Sequence, residues 1–158
     1  MYERILVPLD GSDLAERALP YAAEIAKLAG SEIVLLQAVT PFAATLGQAT
    51  ASDAAEVAPI FTESAMAIAR EQHAGMVAAA RDYLASHASE LAKAGVKART
   101  EVLEGAPAQT ILQYAQANGV GLIAMCTHGR GGLGRLVFGS VADALLRNSG
   151  LPVLLVRA

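Results

Sequence analysis

Four short stretches of this chain are apolar at nearly every position: Ile5 to Leu9, Ile33 to Val39, Val120 to Cys126 and Val153 to Val156. Runs of this length without alternation predict strands buried on both faces, as in a parallel sheet. Val96 to Leu103 alternates and predicts a further strand, third in chain order. Between these runs the period changes to that of a helix. Leu14, Ala18, Tyr21, Ile25 and Leu28 recur at helical spacing behind the capping-box-like pair Asp13 and Glu16, and Gly30 supplies the stop. Pro20 lies within that pattern and predicts a kink or a shifted start. From about Thr62 to Ala94 an inward stripe of Met66, Ala69, Met76, Ala80, Tyr83, Ala88 and Leu91 predicts a long helix, with Gly75 as a break. Pro107 opens a third helix that runs to Asn118-Gly119, and Gly139-Ser140 opens the last. Residues 41–61 carry Pro41, Gly47 and Pro59 without a clear period and predict a long loop.

Strands alternating with helices imply one parallel sheet with helices on both faces, because crossovers between parallel strands are right-handed. The 158 residues suit one domain, 1–158, with no repeat or low-complexity tail. Hydrophobic residues make up 54% but aromatics only 4%, which favours closely packed helices rich in alanine. The net charge of −3 provides no field that would draw in nucleic acid or an anionic membrane. Cys126 has no second cysteine to pair with, the N-terminus lacks signal-peptide character, and no run approaches the roughly 18 apolar residues of a membrane span. The expectation is a cytoplasmic protein.

Candidate chemistry gathers at two predicted strand ends. The first is Pro8-Leu9-Asp10-Gly11-Ser12, and the second is Cys126-Thr127-His128-Gly129-Arg130-Gly131-Gly132-Leu133-Gly134-Arg135. If the first and fourth strands are neighbours, both ends converge on one cleft, where open parallel sheets bind ligands. Glycines let a backbone approach a phosphate, and a helix start offers unpaired N–H groups to it. Ser140 can donate to a phosphate or cap its own helix with Asp143 in the first turn. Asp10 can cap a turn, hydrogen-bond a ribose or hold Mg²⁺ through water. Arg130 and Arg135 are either ligand contacts or solvated loop charges. Gly129 to Gly134 satisfies G-x-G-x-x-G, but the position about twenty residues on, where a dinucleotide site needs an acid, holds apolar Val153 to Leu155. No Walker lysine motif occurs. A Cys126 nucleophile with His128 as base lacks an orienting third residue, and His73 and His87 are expected on the surface of the long helix.

These segments resemble the universal stress proteins over essentially the whole chain. The likeness rests on Ile5-Leu-Val-Pro-Leu-Asp-Gly-Ser12, Thr127-His-Gly-Arg-Gly-Gly-Leu133, Gly139-Ser140-Val141-Ala142 and Pro152-Val-Leu-Leu-Val156. ATP-binding members carry glycine, two residues, glycine, nine residues, glycine and Ser or Thr. Here Gly129, the nine residues Arg130 to Phe138, Gly139 and Ser140 fit, and Cys126 replaces the first glycine. The resemblance implies a Rossmann-like fold of the adenine nucleotide alpha hydrolase type, with strand order 3-2-1-4-5. It implies adenine and ribose contacts from Pro8, Asp10, Val39 and Met125, and phosphate contacts from Gly129, Arg130, Gly139, Ser140 and Val141. Cys126 keeps its main-chain N–H, so binding survives unless that position needs positive φ.

The expected ligand is ATP, with AMP or ADP as alternatives and Mg²⁺ as a companion ion. The expected role is a regulatory or sensor module in stress, with a weak ATP hydrolase and a nucleotide-free dimeric interaction protein as the alternatives. Without a Walker lysine or a water-activating carboxylate, turnover is expected to be slow or absent. In the implied strand order the fifth strand is an edge, and its apolar Val153 to Val156 carries no charge against pairing, which predicts a homodimer.

Overall fold

The computed structural model describes residues 2–44, 63–127 and 139–157. Its strands are β1 (Arg4–Pro8), β2 (Glu32–Val39), β3 (Ala98–Glu104), β4 (Leu122–Thr127) and β5 (Val153–Arg157). They form one parallel sheet in the order β3-β2-β1-β4-β5. The continuous apolar runs are explained by two separate cores. Ile5, Val7, Ile33, Leu35, Leu122 and Ala124 point to one face, while Leu6, Val34, Leu36, Ile123 and Met125 point to the other. Residues one apart therefore bury on opposite sides, and neither side tolerates a polar alternation.

The first face is covered by α1 (Asp13–Glu16), α2 (Leu19–Ala29) and α3 (Glu63–Lys93). The second is covered by α4 (Pro107–Ala117) and α5 (Ser140–Asn148). Pro20 shifts the start rather than kinking a helix: α1 ends at Glu16 and α2 begins at Leu19, with the proline in its first turn, where no N–H is needed. Gly30 takes the left-handed conformation at φ 67° and ends α2.

Three expectations about the helices need correction. The inward residues of α2 are Ala22 and Ala26, with Ala18 just before them, while Tyr21 and Leu28 face outward. Small residues let the helix lie close to the sheet, and the larger ones spread over its outer surface. Helix α3 runs unbroken for 31 residues through Gly75, because one glycine costs a long helix only about 1 kcal/mol. Its buried side chains are Ala69, Ala80, Leu84 and Leu91, so Leu84 joins the stripe and Met66 and Met76 are only partly covered. Of the expected loop 41–61, residues 42–44 form a helical turn, and 45–61 lie outside the described residues.

At the carboxyl edge of the sheet, Gly105 stitches β3 to β2 by donating its N–H to the Val39 carbonyl at 3.0 Å. Its φ is +148°, and a Cβ added there would collide with the hydroxyl of buried Thr110 in α4. Gly105→Ala should therefore destabilise the fold by about 1–3 kcal/mol, the usual cost of a side chain forced into this backbone region. Urea unfolding followed by circular dichroism measures it, and an unchanged midpoint would contradict the strain.

Candidate functional site

The sheet opens at the expected place. Strand β1 stays in register with β2 through Pro8 opposite Leu36, but with β4 only through Ile5–Leu122 and Leu6–Ile123. Successive backbone units of a strand face opposite edges. The Leu9 N–H donates to the Leu36 carbonyl at 2.8 Å, toward β2, so the unit at Pro8 faces β4 and has no N–H to give. β4 nevertheless continues to Thr127. The two strands part there, and a cleft of about 380 Å³ forms beyond them, at the point where the strand order reverses.

One wall is the turn after β1. The Asp10 carboxylate accepts from the Ser12 N–H at 3.0 Å and the Ser12 hydroxyl at 2.6 Å, both through Oδ1. The Ser12 oxygen in turn accepts from the Ala15 N–H at 3.2 Å and caps α1. Asp10 therefore does hold a turn, and the same residue lines the cleft. Its turn role uses one oxygen and leaves Oδ2 without a partner among the described residues.

The facing wall is the end of β4 and the start of α5. Met125, Cys126 and Thr127 line the cleft with Gly139, Ser140, Val141 and Ala142. Gly139 is the N-cap at φ −58° and ψ 156°, and its carbonyl accepts from the Asp143 N–H at 2.9 Å. The Ser140, Val141 and Ala142 N–H groups precede that first helical bond and have no helical acceptor. The capping alternative for Ser140 is corrected: it is the first helical residue, no side chain caps the helix, and Asp143 pairs with Arg147 at 2.9 Å. Cys126 lies within β4, so its extended backbone has no need of positive φ. The floor is apolar, made by Leu36, Ala38 and Ile111.

Of the residues predicted to bind, Pro8, Asp10, Met125, Cys126, Gly139, Ser140 and Val141 meet at this cleft. Val39 is buried at the end of β2 with its carbonyl engaged by Gly105, and Ala38 lines the cleft beside it. Gly129 and Arg130, with His128 and Arg135, lie outside the described residues. Thr127 was not singled out for binding, since a threonine closing an apolar strand has no distinguishing pattern. His73 and His87 are corrected from surface residues to partly buried ones, with side chains 14% and 20% exposed. His73 Nε2 lies 3.2 Å from Glu104, and His87 Nε2 lies 3.3 Å from Glu16 on α1. Tyr83 packs edge-on against His87 at 4.8 Å, and burial beside the Glu16 carboxylate pushes its phenol well above the usual range.

The family model for the universal stress protein family matches residues 1–157, and the chain belongs to that family. A universal stress protein of Methanocaldococcus jannaschii is 30% identical over 159 residues, which are 99% of this chain and 83% of that protein. The structure of universal stress protein UspA from Lactobacillus plantarum is similar at a TM-score of 0.73 and 25% identity, covering 99% of this chain and 98% of that one. Two more distant structures share the fold. A universal stress protein in complex with cAMP has a TM-score of 0.61 at 22% identity, covering 99% and 97% of the two chains. One from Archaeoglobus fulgidus in complex with dAMP has a TM-score of 0.59 at 21% identity, covering 98% and 97%.

The Asp10–Ser12 turn gives a direct test of the wall. Ser12→Ala removes the α1 cap and the hydroxyl bond to Asp10 while keeping the N–H bond to it, and should cost about 1 kcal/mol of stability. Chemical denaturation reads this, and a loss below a few tenths would show that the cap carries no weight.

Proposed function

We propose that this chain binds an adenine nucleotide in the cleft between β1 and β4, ATP being the expected form with AMP or ADP as alternatives. The observation that carries the reading is the meeting of Asp10 with three N–H groups of α5 that have no helical acceptor, across an apolar floor. Such a floor suits a base, a carboxylate suits ribose hydroxyls, and a helix N-terminus suits phosphate. The fold shared with chains solved in complex with cAMP and dAMP supports the same ligand class. Asp10 is the one carboxylate among the described lining residues, so Mg²⁺ would be held mainly by the phosphates and water, with Asp10 as one oxygen donor. Binding rather than turnover is the proposed activity, in a regulatory or sensor role in the stress response.

Titration calorimetry with ATP should give a dissociation constant below about 100 μM, or roughly −5.5 kcal/mol. No heat at millimolar nucleotide would sink the reading. Gly139→Val provides the matched control. Its φ of −58° suits any residue, and an added Cβ meets nothing within 4 Å, so the variant should fold normally. Its bulk would stand in the cleft, and ATP affinity should fall at least about tenfold, 1.4 kcal/mol.

The reading includes a homodimer paired antiparallel through β5. Each of Val153 to Val156 is only partly buried, and β5 is an edge strand. Pairing with the same strand of a second copy would satisfy both edges about a two-fold axis. Sedimentation at tens of micromolar should give a dimer for the wild type and a monomer for Leu154→Lys. A monomeric wild type would rule the pairing out.

A further inference from the structure

We propose that the Thr127 hydroxyl is a ligand group of the cleft, the donor that anchors a phosphate of the bound nucleotide beside the first turn of α5. The inference rests on the nucleotide-binding reading above and names a residue which that reading does not use. Thr127 is only 7% exposed, and its Oγ1 is buried without a hydrogen-bond partner among the described residues. A buried hydroxyl left unpaired is a net cost to the fold, whereas a valine of the same shape would carry none. The hydroxyl therefore has no work to do in the ligand-free protein.

Its position supplies the missing partner. Side chains alternate along β4, so Thr127 shares the face of Met125, which packs with Ala142 and Leu145 of α5. Thr127 lines the cleft together with Gly139, Ser140 and Val141. The neighbouring Ser140, Val141 and Ala142 N–H groups are also donors without helical acceptors. No lysine, arginine or histidine is among the described lining residues, so every group on this wall that could meet an anion is a neutral donor. An oxygen-rich anion satisfies them together, and a phosphate can accept from a hydroxyl and several N–H groups at once. The adenosine part of the ligand would rest on the apolar floor and Asp10, and would not reach this donor.

The test compares wild type, Thr127→Val and Thr127→Ser by calorimetry with ATP, with adenosine measured by competition against ATP, and by ligand-free thermal melting. Thr127→Val should bind ATP roughly tenfold more weakly, the 1.4 kcal/mol of one net hydrogen bond. Its adenosine affinity should stay within about twofold, well under one hydrogen bond. Thr127→Ser keeps the hydroxyl and should match the wild type for ATP. Without ligand, Thr127→Val should melt no lower than the wild type, since it loses only an unpaired group. Unchanged ATP affinity in Thr127→Val, an equal loss for adenosine and ATP, a Thr127→Ser variant as weak as the valine, or a lower ligand-free melting point would each overturn the assignment. If the wild type itself binds neither compound, the nucleotide reading has failed and the inference falls with it, a result the wild-type titration alone reveals.

Discussion

The parting of β1 from β4 at Pro8 is the constraint on which the site depends. A parallel sheet gains from every rung of its ladder, so two adjacent strands that separate while one of them continues need a reason. Here the reason is one missing N–H on the edge that faces β4. The strand keeps its bonds to β2 through Leu36, so the break is one-sided and the sheet is not weakened throughout. The gap then receives the two groups of residues that no other part of the fold could bring together: the Asp10–Ser12 turn and the first turn of α5. A proline at the end of a strand thus sets where the cleft opens.

Much of this is legible in the sequence, and for definite physical reasons. Runs such as Ile33 to Leu36, too short for a helix and set just after Gly30, read as strands with both faces covered, and their spacing between helical periods implies parallel crossovers. The order β3-β2-β1-β4-β5 came from family resemblance, since hydrophobic pattern does not choose between neighbours. What escaped depends on partners distant in the chain. His73 and His87 read as solvent-facing in the sequence because Glu104 and Glu16, which they lie beside, are 31 and 71 positions away. Tyr21 and Leu28 misled because apolar residues also coat the outer surfaces of helices, and alanines do the close packing. The sequence leaves Ser140 open between two roles, and the backbone at Gly139 places it inside the helix.

Cys126 stands in β4 with an extended backbone. Glycine is indispensable where φ is positive or where a side chain would strike something, as at Gly105. A residue in the body of β4 faces neither demand, and the extended backbone keeps its N–H whatever the side chain. Its side chain therefore contributes to the cleft lining without altering how the chain runs through it. A thiol now borders a pocket whose other described lining groups are apolar carbons, hydroxyls, one carboxylate and backbone amides.

The two histidine pairs give the long helix a mechanical character. His73 and His87 lie fourteen residues apart on one side of α3, about 21 Å along its axis and nearly in line. One lies 3.2 Å from Glu104 at the end of β3, and the other 3.3 Å from Glu16 on the short helix that follows the Asp10 turn. A roll or a slide of the helix would change both contacts together. The long helix thus spans from the element behind the Asp10 turn to the end of the edge strand β3.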